Sequence, residues 1–175
     1  MSDPDRERDS IFDILIVDDT IENIRFLSDF LTEQNYQVRK AINGKTALKT
    51  IAVSPPDLIL LDVRMPDMNG YEVCQQLKSD PQTRGIPIIF LSAADEQEDK
   101  KMGFRVGGVD YITKPFQLEE VFIRVQLQLT IKTLQNRLDY CHQQLQATTQ
   151  ALKVAQQQLK VCQREDFLPQ YNQED

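Results

Sequence analysis

The sequence predicts an α/β fold built on a five-stranded parallel sheet, doubly wound, with helices on both faces. Two observations carry this expectation. Five short aliphatic runs alternate strictly with amphipathic stretches from residue 11 to about residue 118. The first, third and fourth runs are close to continuously apolar, as strands covered on both faces are. Alternation of this kind implies crossover helices between parallel strands.

Each element has its own justification. "IFDILIV", residues 11–17, has the length and branched residues of a buried strand. Ile21, Ile24, Phe26, Leu27, Phe30 and Leu31 then recur at helical spacing. "YQVRKAI" is a second strand, and "NGKTALKTIAVS" a helix stopped by Pro55 and Pro56. "DLILLD" is the third strand. "GYEVCQQLKSD" is a helix with Tyr71, Val73, Cys74 and Leu77 for its apolar side. "IPIIFLS" is the fourth strand, and the helix that follows, near 96–105, is terminated by Gly107 and Gly108. "VDYIT" is the fifth strand. From residue 117 to about 164 there is neither Pro nor Gly, which predicts roughly thirteen turns of helix. Composition shifts along that helix toward Gln. The expected organisation is a flexible N-terminus at 1–10, a globular domain at 11–130, a coiled-coil helix at 131–164 and a flexible tail at 165–175.

Composition narrows the function. The chain has 175 residues, 41% hydrophobic and 27% charged, as soluble globular proteins do. A net charge of -7 opposes general binding to nucleic acid or anionic membrane, since both surfaces repel it. No apolar stretch approaches membrane-spanning length, and the charged start "MSDPDRERDS" lacks an apolar signal core. Cys74, Cys141 and Cys162 have neither metal-ligand spacing nor a disulfide framework. The expected location is the cytoplasm.

The chemistry lies at the strand ends. In an open parallel sheet, ligands bind beyond the carboxyl ends of the strands, where strand order reverses. The first strand leads to Asp18 and Asp19, and the third ends on Asp62. If these strands are neighbours, three carboxylates converge. Two such charges about 4 Å apart repel by roughly 4 kcal/mol at an effective dielectric of 20. A hard divalent cation relieves this, and Mg²⁺ suits a few carboxylates, waters and a phosphoryl group. The fourth strand brings Ser92 and the fifth leads to Lys114 and Pro115. Singly, a DD pair or a serine after a strand reads as a helix cap, and a lysine before proline as a solvated loop residue. Together, acids for a metal with a hydroxyl and an ammonium for anionic oxygens make a phosphoryl-handling site.

"ILIVDDT", "DLILLDVRMPDMNGYEV", "PIIFLSA" and "GGVDYITKPF", in this order, resemble the receiver domain of bacterial two-component response regulators over about residues 12–130. The resemblance implies a flavodoxin-like (βα)5 receiver fold that takes a phosphoryl group from a histidine kinase or phosphotransfer protein onto Asp62. It implies that Asp19 binds Mg²⁺ directly, Asp18 chiefly through water, and Arg64 through its backbone carbonyl. Lys114 would pair with the phosphoryl oxygens and Ser92 would hydrogen-bond one of them. Tyr111 matches the aromatic position that turns inward when that hydroxyl moves. Gly70 and Pro115 shape the loops around the site. A phosphatase with a strand-ending aspartate nucleophile needs a second acid two residues later, where this chain has Arg64. No phosphate-binding glycine loop is present, and His142 lacks the neighbours of a kinase phosphorylation box.

The long helix carries a second pattern. Ile131, Leu138, Leu145, Leu152 and Leu159 repeat every seven residues, and Leu134, Cys141, Thr148, Ala155 and Cys162 fall three after each. These are the a and d positions of a coiled coil, with a weak d layer. The flanking positions are mostly Gln, Ala and Thr, with Arg137 the charged exception, so charge gives little guidance to the partner. A parallel homodimer is expected.

No DNA-binding, cyclase or kinase module is legible after the receiver-like segment. The expected function is a phospho-switch adaptor that signals to a downstream protein by contact. Two alternatives stand beside it: the receiver portion of a hybrid kinase or relay whose output module is absent from this chain, and a coiled-coil structural protein whose receiver no longer takes phosphate.

Overall fold

The computed structural model describes residues 11–93 and 97–165. The N-terminus at 1–10, most of the tail and the side chain of Cys162 lie outside the described residues. The elements are β1 (Asp13–Val17), α1 (Ile21–Glu33), β2 (Gln37–Ala41), α2 (Gly44–Val53), β3 (Leu58–Asp62), α3 (Gly70–Ser79), β4 (Ile88–Ala93), α4 (Gln97–Arg105), β5 (Asp110–Lys114) and α5 (Leu118–Glu165). The sheet is parallel throughout, in the order β2-β1-β3-β4-β5. This is the doubly wound flavodoxin-like order, whose reversal falls between β1 and β3.

The chain divides into two compact units between Lys132 and Thr133. In the first, alternate strand residues point to opposite faces of the sheet, as the pleat requires. Leu15, Val17, Ile59, Leu61, Ile88 and Phe90 pack on one face with Ala47 and Ile51 of α2 and Val73, Cys74 and Leu77 of α3. Ile14, Ile16, Leu58, Leu60, Ile89 and Leu91 pack on the other with Ile24, Leu27 and Leu31 of α1 and Val121, Val125 and Leu129 of α5. Ile21 and Phe26, expected on the apolar side of α1, are exposed. Ser28 takes a buried place instead, because Ile24, Leu27, Ser28 and Leu31 form the stripe that meets the sheet.

Caps fix where helices begin. Asn43 accepts from the Thr46 N–H at the start of α2. Asn69 and Glu72 form a capping box at the start of α3, with bonds of 2.8 and 2.9 Å. At the opposite edge of the sheet, the Lys132 ammonium donates to the Asp57 carboxylate at 3.0 Å, tying α5 to the entry of β3.

The second unit is described over the last part of α5. Leu134, Leu138, Leu145, Leu152 and Leu159 are between 58% and 65% exposed, and Cys141, Thr148 and Ala155 are exposed as well. Ile131, the last a position before the division, is also exposed. No helix among the described residues is long and apolar enough to cross a membrane.

Candidate functional site

Because β1 and β3 are neighbours, their carboxyl ends bring three acids together. One carboxylate oxygen from each of Asp18, Asp19 and Asp62 lies within 4.8 Å of the others. The three differ in setting. Asp18 and Asp62 are buried and Asp19 is exposed.

Asp18 is held from three directions. The Thr20 backbone N–H donates to Oδ1 at 2.8 Å. The Asn23 amide donates to both oxygens at 3.1 and 3.0 Å, and the Lys114 ammonium donates to Oδ2 at 2.8 Å. A buried carboxylate with this many donors keeps one orientation. Asn23 is a site residue that the strand-end pattern does not show. It lies in the first turn of α1, a turn past the acid it holds, and only the helix start turns it back toward the acid.

Asp62, the last residue of β3, is also within 3.0 Å of the Lys114 ammonium. Its remaining contact is a long one, 3.4 Å from the Arg64 backbone N–H. Burial, then the Asp18 charge, hold its carboxyl above the usual carboxylate range, against the pull of Lys114. Burial works to lower Lys114, but its bonds to Asp18 and Asp62 outweigh it and the ammonium is held above its ordinary value. The ammonium is also 5.9 Å from the Phe116 ring centroid. It therefore serves two carboxylates at once.

The loop after β3 must pass close to the acid. A Cβ at Gly70 would come within 2.3 Å of the Asp62 carbonyl oxygen and 3.1 Å of the Val63 Cα, so no larger residue fits without moving Asp62. The Gly70 N–H closes the loop by donating to the Val63 carbonyl at 2.9 Å. The Lys114–Pro115 peptide, at the other side of the site, is cis.

Ser92 is buried on β4, one residue beyond Leu91, which pairs with Asp62. Tyr111 is buried on β5, its ring centroid 5.3 Å from that of Phe90 and 5.5 Å from that of Phe104. The structure thus gathers Asp18, Asp19, Asp62 and Lys114 at one place and puts Ser92 and Tyr111 on the adjoining strands β4 and β5. His142 lies in the second unit and is exposed.

The donor set fits a hard divalent cation. It is all oxygen, it carries the charge a cation would offset, and Asp19 leaves one side open for water or an anionic ligand. Within reach of a phosphorus atom, the same arrangement offers a carboxylate nucleophile and a fixed positive charge.

Comparison with known proteins identifies the family of the fold. The response regulator receiver domain family matches residues 14–126. The probable cyclic di-GMP phosphodiesterase of Vibrio cholerae serotype O1 is 45% identical over 131 residues, which cover 73% of this chain and 30% of that protein. Response regulator PleD of Caulobacter vibrioides is 45% identical over 113 residues, covering 65% of this chain and 25% of that protein. The chain therefore spans less than a third of the length of these two relatives. The solved structure of the Vibrio cholerae chemotaxis protein CheY4 superposes with a TM-score of 0.64 at 31% identity, covering 67% of this chain and 98% of that one. The chain belongs to the response regulator receiver domain family.

Proposed function

We propose that this receiver accepts a phosphoryl group on Asp62 from a histidine kinase or phosphotransfer protein, and that it signals to a downstream protein by contact. The observation that carries the proposal is the position of Asp62. It ends a buried strand, with an ammonium 3.0 Å away and two further acids converging on it. Structural packing alone gives no reason to gather three carboxylates there.

An Asp62 oxygen attacks the phosphorus of the donor phosphoramidate, the new O–P bond forms, and the P–N bond to the donor histidine breaks with its electron pair. Mg²⁺, when bound by Asp18, Asp19, Asp62 and the Arg64 carbonyl, supplies charge neutralisation for the incoming oxygens. Asn23 and the Thr20 N–H keep Asp18 oriented toward the site. Lys114 stabilises negative charge on the phosphoryl oxygens, and Ser92 hydrogen-bonds one of them and passes the change to Tyr111. The receiver is a phosphoacceptor that assists its own chemistry and acts on no external substrate.

The second unit extends this reading. Ile131, Leu134, Leu138, Cys141, Leu145, Thr148, Leu152, Ala155, Leu159 and Cys162 form one side of a parallel, in-register homodimer. In that register Cys141 faces Cys141 and Cys162 faces Cys162, so mild oxidation gives like-to-like crosslinks. An antiparallel pair would give Cys141–Cys162 links.

A second reading has its own support. The two relatives are three to four times longer than the matched segment, so this chain also fits the receiver portion of a longer regulator whose helix leads to another module. The acceptor chemistry is the same in both.

The test is incubation with acetyl phosphate, with and without Mg²⁺, followed by intact mass. The expected result is one added phosphoryl group, dependent on Mg²⁺ and absent from Asp62→Asn. Labelling of Asp62→Asn at the wild-type rate would overturn the assignment, and an unlabelled wild type would leave a receiver that no longer takes phosphate.

A further inference from the structure

At the edge of the sheet away from the acids, the strand entries are tied together by charge. The Asp57 N–H donates to the Asp13 carbonyl at 2.7 Å, and the Asp13 N–H donates back to one Asp57 carboxylate oxygen at 3.0 Å. Arg39 grips the Asp13 carboxylate at 3.0 and 2.6 Å and also donates to the Ser54 carbonyl at 2.9 Å. Asp57 is therefore held in place from the side of β1. The Lys132 ammonium takes its other carboxylate oxygen at 3.0 Å and its backbone carbonyl at 3.1 Å.

Lys132 stands at a boundary. It is the last residue of the first unit, within one turn of Leu129, which is buried in the core. From Leu134 to Val161 every side chain is exposed. An exposed stretch of this kind draws little help from packing, and starting a helix in open chain carries a weight of about one in a thousand. Adding residues to a turn that already exists is far easier. In an α-helix the amides of residues 133–136 donate to the carbonyls of residues 129–132. The turn from Leu129 to Lys132 is pinned by a buried leucine at one end and an ion pair at the other. It supplies the carbonyls that the next turn needs.

We propose that the Lys132–Asp57 clasp anchors the helix of the second unit: it fixes the last turn held by the receiver, and the exposed helix propagates from that turn. The heptad stripe is thereby presented as helix before a partner arrives, which lowers the ordering cost of association. The inference stands apart from the acceptor chemistry, whose acids lie at the other end of the strands.

Amide hydrogen exchange in the full chain reads the anchor. Every sample carries Leu145→Asp and Leu152→Asp, so that pairing of stripes does not itself protect the helix. Lys132→Met removes the ammonium and keeps a side chain of similar helix propensity. Peptides covering residues 133–140 are expected to exchange several-fold faster in Lys132→Met, with peptides from β3 and β4 unchanged. Asp57→Asn retains an oxygen for the Asp13 N–H and should act in the same way. The variant carrying both changes should be no worse than Lys132→Met alone, because partners in one contact are not additive. Unchanged exchange at 133–140 in Lys132→Met overturns the proposal. Additive effects of the two substitutions also overturn it, since they would then act separately. Faster exchange spread equally over β3 and β4 does so too, because the receiver itself would have loosened.

Discussion

The receiver and the helix beyond it handle the same kind of side chain in opposite ways. Leu58, Leu60 and Leu61 have no exposed surface, whereas Leu138, Leu145 and Leu159 keep more than half of theirs. Burying a leucine fully is worth about 1.5–3 kcal/mol, and the first unit collects that from its own sheet and helices. Among the described residues of the second unit, these leucines stay exposed and do not collect it. A sheet buries its apolar faces against helices of the same chain, but a lone helix with a heptad stripe has no such partner and calls for a second helix. The comparison teaches that one region buries its own apolar surface, whereas the described part of the other leaves its leucine stripe exposed.

Changes at the site should break the first region and spare the second. The largest effect is expected from Asp62→Asn, which loses phosphorylation altogether and still associates through its helix, as sedimentation would record. Lys114→Ala should keep the fold and lower the rate of labelling by acetyl phosphate by about a hundredfold, since it removes one fixed charge from the phosphoryl oxygens. An unfolded Lys114→Ala protein, judged by circular dichroism, would make the lysine structural. Asn23→Ala is milder. It deletes a donor to the buried Asp18 carboxylate, so thermal or urea unfolding should show a loss of about 1.5–3 kcal/mol.

The smallest effect is on pH dependence. Burial and Asp18 hold the Asp62 carboxyl above its ordinary value, so the folded chain takes up this proton before the unfolded chain does. In the absence of Mg²⁺, Asp62 therefore adds stability as pH falls through the raised value toward the ordinary one. Bound Mg²⁺ must displace that proton. The rise in Tm caused by Mg²⁺ should shrink as pH falls through the raised value, above the range of an exposed aspartate. A rise that stays constant down to ordinary carboxylate pH would contradict the electrostatics of the site.

Much of this was legible in the sequence because the signals are local. Continuous apolar runs mark strands covered on both faces, and the acids that follow them fall at one edge once strand order is known. The element order and the convergence of Asp18, Asp19 and Asp62 follow from those two facts. Ile21 and Phe26 were misplaced because helical spacing alone does not say which of two adjoining stripes meets the sheet. The contact of Asn23 with Asp18 was not legible either. It depends on the direction in which α1 starts. Lys114 was placed at the right edge by its strand, but its two ion pairs, with Asp18 and Asp62, reach across 96 and 52 residues of chain, which no local pattern records.

The separation of the two regions is tested most directly by charging the helix stripe. Leu145 and Leu152 are replaced together by Asp in the full chain, and sedimentation is measured beside labelling by acetyl phosphate and Mg²⁺. The expected result is a wild-type dimer that becomes a monomer in the double variant, with phosphorylation of Asp62 unchanged in rate. A wild-type chain that sediments as a monomer at working concentration, or a double variant that remains a dimer, would contradict the account of the helix.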